Sequence, residues 1–271
     1  MKSWIIILAF AACSFAIHGQ TAEEIIYNTE QAYRKLDNYV DQGVRTSILF
    51  VKPLFHDTST YQLAMDREQN IYFSIHTPRS MGIKGATYTK VAGDSMGVYT
   101  RHADHEIPFS CSFYEAGGRL GGTGGYIFFL TASLMYPDYT WERPGNGSSL
   151  QGYDEVTRLE DAKIGNQSCY VIQTLKTIVV PQELVDKRNH QQDSIQGMLD
   201  LPPEQRGGYH LDSRPRVFGH LYYIRKSDFL IVKIVDRMFE DDILMSENQT
   251  LLHPEYNVKD FQSFLDPAPK E

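Results

Sequence analysis

The sequence predicts an α+β fold made mainly of antiparallel β-strands, and three observations lead to this prediction. Segments rich in β-branched and aromatic residues recur at intervals of about 10 residues, as in an antiparallel meander or barrel. A helical segment with one apolar stripe precedes them at residues 22–36. A run of glycines and a second apolar segment, residues 126–138, interrupt them.

The N-terminal segment 1–20 has the features of a secretory signal peptide. Lys2 supplies a positive charge, residues 4–17 are apolar or small, and charged residues resume only at Glu23. This apolar run is shorter than the roughly 20 residues that span a bilayer as a helix. We therefore expect the segment to be removed on export.

Cleavage near Gln20 would leave residues 21–271, which we expect to form one domain in the periplasm or outside the cell. The alternative is a lipid anchor on Cys13, because two small residues precede it in the stretch AFAAC. We expect the mature protein to be a monomer without a cofactor.

The first predicted helix, residues 22–36, has its apolar side chains at helical spacing along one face. Thr21 is the expected N-cap, and Glu23 and Glu24 in the first turn interact favourably with the positive end of the helix dipole. A helix with one apolar stripe must lie against another part of the protein.

Strand-like segments follow in close succession and are separated by short polar or glycine-containing turns. In one of them Ile71, Phe73 and Ile75 alternate with Tyr72 and Ser74, which predicts one clearly apolar face. The predicted strands of this first half span residues 39–52, 59–68, 70–77, 86–93 and 95–102.

The second half of the chain combines further strands with one polar interruption. Residues 154–180 contain a tight turn followed by a strand, whereas the polar residues 181–208 predict a surface helix or an inserted excursion. Residues 220–226 and 229–239 form a predicted hairpin. Residues 255–267 predict a final strand.

The charge pattern argues against nucleic acid and anionic membranes as partners. The formal net charge is -8, and the chain has no long run of basic residues. Binding to the phosphates of a nucleic acid needs clustered Lys and Arg. Anionic lipid surfaces attract the same kind of cluster.

The glycine-rich stretch GGRLGGTGGYIFF, residues 117–129, raises the question of a phosphate-binding loop. A P-loop requires Gly-Lys-Ser/Thr at its end, and here Gly124 and Gly125 are followed by Tyr126. The dinucleotide fingerprint requires a third glycine where Ile127 stands. We therefore interpret the glycines as a flexible entry to an apolar lid segment.

Cysteine and histidine patterns give no redox or metal motif. Cys111 and Cys169 remain after export, and they form either one disulfide or two buried free thiols. No CxxC pair occurs. The segment RHADHE, residues 101–106, departs from the His-Glu-x-x-His order of zinc proteases, so we expect no metal site.

Several segments, taken in order, resemble those of a known family. They are LEDAKIGNQSCYVIQT, the hairpin LYYIRKSDFLIVKI and the C-terminal HPEYNVKDFQSFLDP. Together with the N-terminal helix and a Tyr-x-Asp-x-Gly sequence that begins at Tyr39, this order resembles the periplasmic outer-membrane lipoprotein carrier and sorting superfamily. These are the LolA-like proteins, and the likeness is to an uncharacterised branch of the DUF2092 type.

The resemblance implies an incomplete, half-open β-barrel with helices covering its concave face and a cavity that binds acyl chains. The expected hinge of the lid is formed by Gly121, Gly122, Gly124 and Gly125. The expected lining comes from the early strands, the lid and the last hairpin: Phe50, Tyr72, Phe73, Ile75, Phe128, Phe129, Leu130, Leu134, Tyr223, Ile231 and Val232.

The leading hypothesis is a non-enzymatic envelope protein that holds a lipid, or the acyl chain of a lipoprotein, in this cavity. A lipoprotein or another envelope protein would be its partner. The alternative is a structural or protein-interaction module with a filled core, and the third hypothesis is a hydrolase with an unrecognised site. No pair of serine and histidine is marked by its spacing, so no catalytic residue is assigned.

Overall fold

A computed structural model describes residues 19–50, 54–68, 70–80, 83–92, 95–102, 105–111, 122–137, 150, 152–198 and 212–265. Twelve strands among these residues form one antiparallel sheet. They are β1 (Asn38–Leu49), β2 (Phe55–Asp66), β3 (Ile71–Ser80), β4 (Ile83–Ala92), β5 (Ser95–His102), β6 (His105–Cys111), β7 (Glu155–Ile164), β8 (Gln167–Ile178), β9 (Arg216–Arg225), β10 (Ile231–Glu240), β11 (Ile243–Leu251) and β12 (Glu255–Tyr256).

The order of the strands shows that two meanders join at the centre of the sheet. The order is β6-β5-β4-β3-β2-β1-β11-β10-β9-β8-β7, and β12 pairs with β1 outside this path. Within the described ranges β6 and β7 do not pair with each other, so the sheet stays open at these two edges. This is the half-open antiparallel arrangement that the sequence predicts.

Four helices accompany the sheet in the described part of the chain: α1 (Ala22–Arg34), α2 (Gly122–Met135), α3 (Gln182–Met198) and α4 (Gln262–Leu265). Helices α1 and α2 are in contact with each other. Both contribute buried side chains to the main core cluster, together with β1, β2, β3, β8, β9 and β10. We call the side of the sheet that faces this cluster the inner face.

The start of α1 is fixed by a capping box, as its sequence predicts. The Thr21 hydroxyl accepts a hydrogen bond from the Glu24 N–H at 3.2 Å, and a Glu24 carboxylate oxygen accepts one from the Thr21 N–H at 2.9 Å. Ile25, Ile26 and Tyr33 are buried along one face of the helix. The apolar stripe therefore lies against the core.

A second, smaller cluster lies on the outer face of the sheet. Val40, Ala64 and Tyr72 are opposite one another on β1, β2 and β3, and Phe261 covers them from the C-terminal segment. Their neighbours along each strand point to the inner face, because successive side chains in a strand alternate between the two faces.

One predicted strand is wrong, and one strand in the structure was not predicted. The predicted final strand over residues 255–267 is wrong, since β12 has two residues and α4 follows it. Asn257, the residue after the strand, has a positive φ of 52°, and its side-chain Oδ1 accepts a hydrogen bond from the Asp37 N–H. Strand β6 was not predicted because it contains Pro108, which an edge strand accommodates.

The inner face carries one fully buried carboxylate. Asp41 accepts hydrogen bonds from the hydroxyls of Tyr61 at 2.7 Å and Tyr39 at 3.3 Å, and from the His253 N–H at 2.7 Å. These bonds join β1, β2 and the segment after β11. Burial raises the pKa of the Asp41 carboxyl to about 6, although the three hydrogen bonds favour its charged form.

The glycine two positions further along β1 makes room for this arrangement. A Cβ on Gly43 would lie 2.3 Å from the Leu251 carbonyl oxygen and 2.5 Å from the Tyr61 hydroxyl. Any larger residue would push the Tyr61 side chain away from β1. The Tyr61 hydroxyl that bonds Asp41 occupies the space above Gly43, so this hydrogen bond requires a glycine at position 43.

We predict that Asp41 makes the stability of the protein depend on pH between about 4 and 6. The folded-state pKa of about 6 exceeds the ordinary value of 3.8, so the folded protein binds the proton more tightly than the unfolded chain. The free energy of unfolding should therefore fall by roughly 3 kcal/mol as the pH rises through this window. Urea unfolding of the wild type and Asp41→Asn tests this, and equal pH slopes would contradict it.

Candidate functional site

Helix α2 is the central element of the candidate site. Its sequence GTGGYIFFLTASLM contains no charged residue. Ile127, Phe128, Leu130, Leu134 and Met135 are all buried, so the helix is enclosed on several sides and not along one stripe. The Phe128 ring meets the Phe73 ring of β3 edge to face at 5.8 Å. The helix thus occupies the apolar side of the open sheet.

One arginine fixes the C-terminal ends of both inner helices. Arg67, directly after β2, donates from Nε to the Leu36 carbonyl at 2.7 Å and from Nη2 to the Tyr33 carbonyl at 2.8 Å. Its Nη1 donates to the Met135 carbonyl at 2.5 Å. A cation at the negative ends of two helices is favourable for both dipoles. We call this arrangement the Arg67 clamp.

The N-terminal part of α2 is fixed by a cluster of aromatic side chains, the tyrosine–histidine cluster. The hydroxyl of Tyr126 in α2 is hydrogen-bonded to that of Tyr222 in β9, which also bonds the Tyr153 hydroxyl at 2.8 Å. The Tyr126 ring stacks on His220 with its centroid 5.0 Å away. Burial raises the pKa of the Tyr126 and Tyr222 hydroxyls well above their usual range, so both are neutral donors and acceptors.

Polar side chains continue across the inner face beside this cluster. His220 Nδ1 lies 2.7 Å from Asp236 Oδ1, and Arg45 Nη2 donates to Asn248 Oδ1 at 2.7 Å. Burial lowers the pKa of the Arg45 guanidinium to about 10, while Asp236 and Asp57 oppose this shift. The guanidinium therefore stays charged near neutral pH.

The structure brings most of the predicted lining residues together. Phe73, Ile75, Phe128, Leu130, Leu134 and Ile231 belong to the main core cluster, and the half-buried Phe129 packs against it. These seven residues come from β3, α2 and β10. Their role as a ligand lining remains a prediction, because each of them at present contacts other side chains of the core.

Four predicted lining residues do not belong to this cluster. Tyr72 is in the outer cluster, and Tyr223 lies on the outer face with Lys233 Nζ 5.3 Å from its ring centre. Strand alternation separates them from Phe73 and Tyr222, so we remove both from the proposed lining. Phe50 is 45% exposed beyond the end of β1. Val232 is buried at an irregularity in the pairing of β9 and β10.

The predicted hinge and the predicted cysteine pair are only partly within the described residues. Gly122, Gly124 and Gly125 lie in the first turn of α2 itself, and Gly121 lies outside the described residues. Cys169 is a free, buried thiol. Cys111 ends β6, and its side chain lies outside the described part.

A serine pattern typical of hydrolases occurs in the chain but has the wrong structural context. Residues 93–97, GDSMG, match Gly-x-Ser-x-Gly. Ser95 is the first residue of β5 and pairs with Ala92 at the end of β4, so it begins a strand of the antiparallel sheet. A nucleophile elbow requires a turn from a strand into a helix. The match therefore gives the hydrolase hypothesis no support.

The described ranges contain neither a cluster of metal ligands nor a membrane-spanning helix. There, no group of three or more His, Cys, Asp and Glu side chains is arranged to hold a metal ion. Across those same ranges, no helix has the length and apolar character needed to cross a membrane.

The residues that sequence reasoning missed are mainly polar. Asp41 and Asp236 each interrupt an apolar strand at a position where the alternation predicts a buried side chain. That interruption is a usable signal for a buried polar site. Arg67 has no such signal, because its partners are main-chain carbonyls.

The fold and site together define an open antiparallel half-barrel with an apolar helix on its inner face. No family model matches the chain, and no curated protein matches it. Solved structures similar to it include LprF from Mycobacterium bovis, with 12% identity over 87% of this chain and 94% of that chain and a TM-score of 0.41. The lipoprotein LppX from Mycobacterium tuberculosis has 13% identity over 86% and 93%, with a TM-score of 0.42.

A LolA superfamily protein from Nitrosomonas europaea is also similar, with 11% identity over 91% of this chain and 98% of that chain and a TM-score of 0.31.

We predict that the Arg67 clamp is a main determinant of the position of both inner helices. Arg67→Met removes three hydrogen bonds from a charged donor and should lower the free energy of unfolding by about 3 kcal/mol. Amide exchange should become faster at Leu36 and Tyr136, which lie just after the two helices and donate to carbonyls of their last turns. The control is Arg188→Met on the exposed surface of α3, where we expect a change below about 0.5 kcal/mol. Equal effects of the two substitutions would contradict the clamp.

Proposed function

We propose that this protein is a non-enzymatic envelope binding protein that holds an apolar ligand between α2 and the inner face of the sheet. The ligand would be a lipid or the acyl chain of a lipoprotein. The observation that carries the proposal is α2 itself, an uncharged helix that is buried on the apolar face of a sheet with open edges. It fills the place that an elongated apolar ligand would occupy.

Binding would require α2 to move, because core side chains fill the space beneath it. An acyl chain with about 15 buried methylene groups gains roughly 12 kcal/mol, at about 0.8 kcal/mol each. Uncovering four large α2 side chains costs roughly 8–12 kcal/mol, at about 2–3 kcal/mol each. The two values are similar, so a ligand could replace the helix without a large net cost.

The contacts that hold α2 suit such an exchange. The Arg67 clamp holds the C-terminal end of α2 through the Met135 carbonyl, whereas its N-terminal part is held by the Tyr126 hydroxyl and ring. A hydrogen bond between two neutral hydroxyls breaks at a lower cost than one from a charged guanidinium to a carbonyl in the same environment. The N-terminal part, next to the predicted glycine hinge, is therefore the end that we expect to open.

A structural or interaction module with a filled core is the second candidate function. The observation in its favour is that the inner side of the sheet is packed with side chains that are almost completely buried. In that case α2 would be a permanent part of the core. The two candidates differ in whether an apolar probe can enter.

We predict that weakening the N-terminal attachment of α2 speeds the entry of an apolar probe. Tyr126→Phe removes the hydroxyl bonded to Tyr222 and should raise the uptake rate of N-phenylnaphthylamine about fivefold in stopped-flow fluorescence. Tyr153→Phe is the matched control, because it also removes a hydroxyl bonded to Tyr222 but does not belong to α2.

The rates of the wild type and the two variants separate the two candidate functions. Faster uptake by Tyr126→Phe alone supports an opening of α2. If none of the three proteins takes up the probe, the apolar-ligand proposal fails and the filled module is favoured.

A further inference from the structure

A patch of buried polar side chains crosses the three central strands of the inner face. Thr250 of β11 is directly opposite Arg45 of β1 on one side and Ile234 of β10 on the other. Asp236 lies two residues beyond Ile234 on the same face. Directly opposite side chains are about 5 Å apart at Cβ, so these groups lie close together. We call Arg45, Thr250 and Asp236 the polar patch.

Each residue of the polar patch has an atom with unused hydrogen-bonding capacity. Among the residues that the structure describes, Arg45 Nε, Asp236 Oδ2 and Thr250 Oγ1 lack a hydrogen-bond partner. The exposed fractions of these residues are 8%, 9% and 0%. Buried polar atoms are normally paired, because an unpaired one has lost its hydrogen bonds to water without replacing them. Three of them in one place indicate a site for a polar group.

The same side chains are held in place by their other atoms. Arg45 Nη2 donates to Asn248, and Asp236 Oδ1 is bonded to His220 Nδ1. The unpaired atoms are therefore not the free ends of mobile side chains. A preorganised set of donors and acceptors of this kind binds with a small loss of conformational entropy.

The patch also adjoins the apolar site. Ile234, between Thr250 and Asp236, belongs to the main core cluster. The ring of Tyr126 in α2 stacks on His220, the partner of Asp236. A movement of the N-terminal part of α2 would therefore uncover the polar patch together with the apolar floor beside it.

The unpaired atoms define the chemistry of the group that fits. Arg45 Nε can only donate, ionised Asp236 Oδ2 can only accept, and the Thr250 hydroxyl can do both. A carboxylate or phosphate would satisfy Arg45 but would be repelled by Asp236. A hydrocarbon would leave all three atoms unpaired. A neutral hydroxyl or amide group has both the donor and the acceptor that the patch requires.

We propose that the polar patch receives the neutral, hydrogen-bonding head group of an amphiphile whose apolar part lies against the inner face beneath α2. This inference rests on the proposed function and adds the class of ligand to it. The head group carries hydroxyls or an amide and no net charge. Acylglycerols and acyl amides are the two sources of this chemistry.

The test compares ligands that share one acyl chain and differ in the head group. Palmitoylglycerol, palmitamide and palmitate are titrated into the full mature protein by calorimetry. We expect at least one of the two neutral ligands to bind about tenfold more tightly than palmitate, and the tighter of the two identifies the source.

Two substitutions test whether the preference for a neutral head group arises from the polar patch. Thr250→Val keeps the shape of the side chain and should reduce the affinity for the preferred neutral ligand about fivefold, while the stability is kept or raised. Asp236→Asn replaces the acceptor with a donor and should shift the preference toward palmitate. Thr60→Val, an exposed strand position on the outer face, is the control and should change neither property.

The possible results separate the two proposals. Any of three results would overturn the head-group assignment and leave apolar binding intact. The wild type could bind the three head groups equally, it could bind palmitate more tightly, or Thr250→Val and Asp236→Asn could have no effect. If none of the ligands binds, the proposed function fails and the head-group site fails with it.

Discussion

The contacts of the Arg67 guanidinium are the interaction on which the arrangement of the inner face depends. A single side chain after β2 bonds carbonyls at the C-terminal ends of α1 and α2, so both helices are held at one corner of the sheet. The opposite end of α2 is held by neutral tyrosine hydroxyls and ring stacking. The two ends of α2 are thus held unequally, as the proposed opening of its N-terminal part requires.

Buried polar groups on the inner face have two different roles. Asp41 joins neighbouring strands through three hydrogen-bond donors, and these bonds offset only part of its cost of desolvation, since its pKa stays raised. Arg45, Thr250 and Asp236 keep unpaired atoms although they are equally enclosed. The hydrogen bonds of Asp41 therefore help to hold the sheet together. Contacts within the folded protein do not account for the unpaired atoms of Arg45, Thr250 and Asp236, whereas a bound polar group would.

The sequence was a good guide where local rules decide the structure. The capping box at Thr21, the alternation around Phe73 and the turn at Gly165 are all local patterns, and they mark elements that the structure contains. It was a poor guide where distant main-chain atoms meet, as in the Arg67 clamp, or where side chains 96 residues apart are bonded, as in Tyr126 and Tyr222. Successive side chains of a strand point to opposite faces, so Tyr72 and Phe73 cannot both line one cavity.

The most direct test of whether the inner face holds an apolar ligand is native mass spectrometry. The mature protein is released from its own cell envelope without detergent before the measurement. We expect a population with an added mass that dissociates on collisional activation and is identified as an uncharged amphiphile with at least one acyl chain. A spectrum that contains the protein mass alone, from protein that still takes up no apolar probe, would contradict the account and show that α2 is a permanent part of the core.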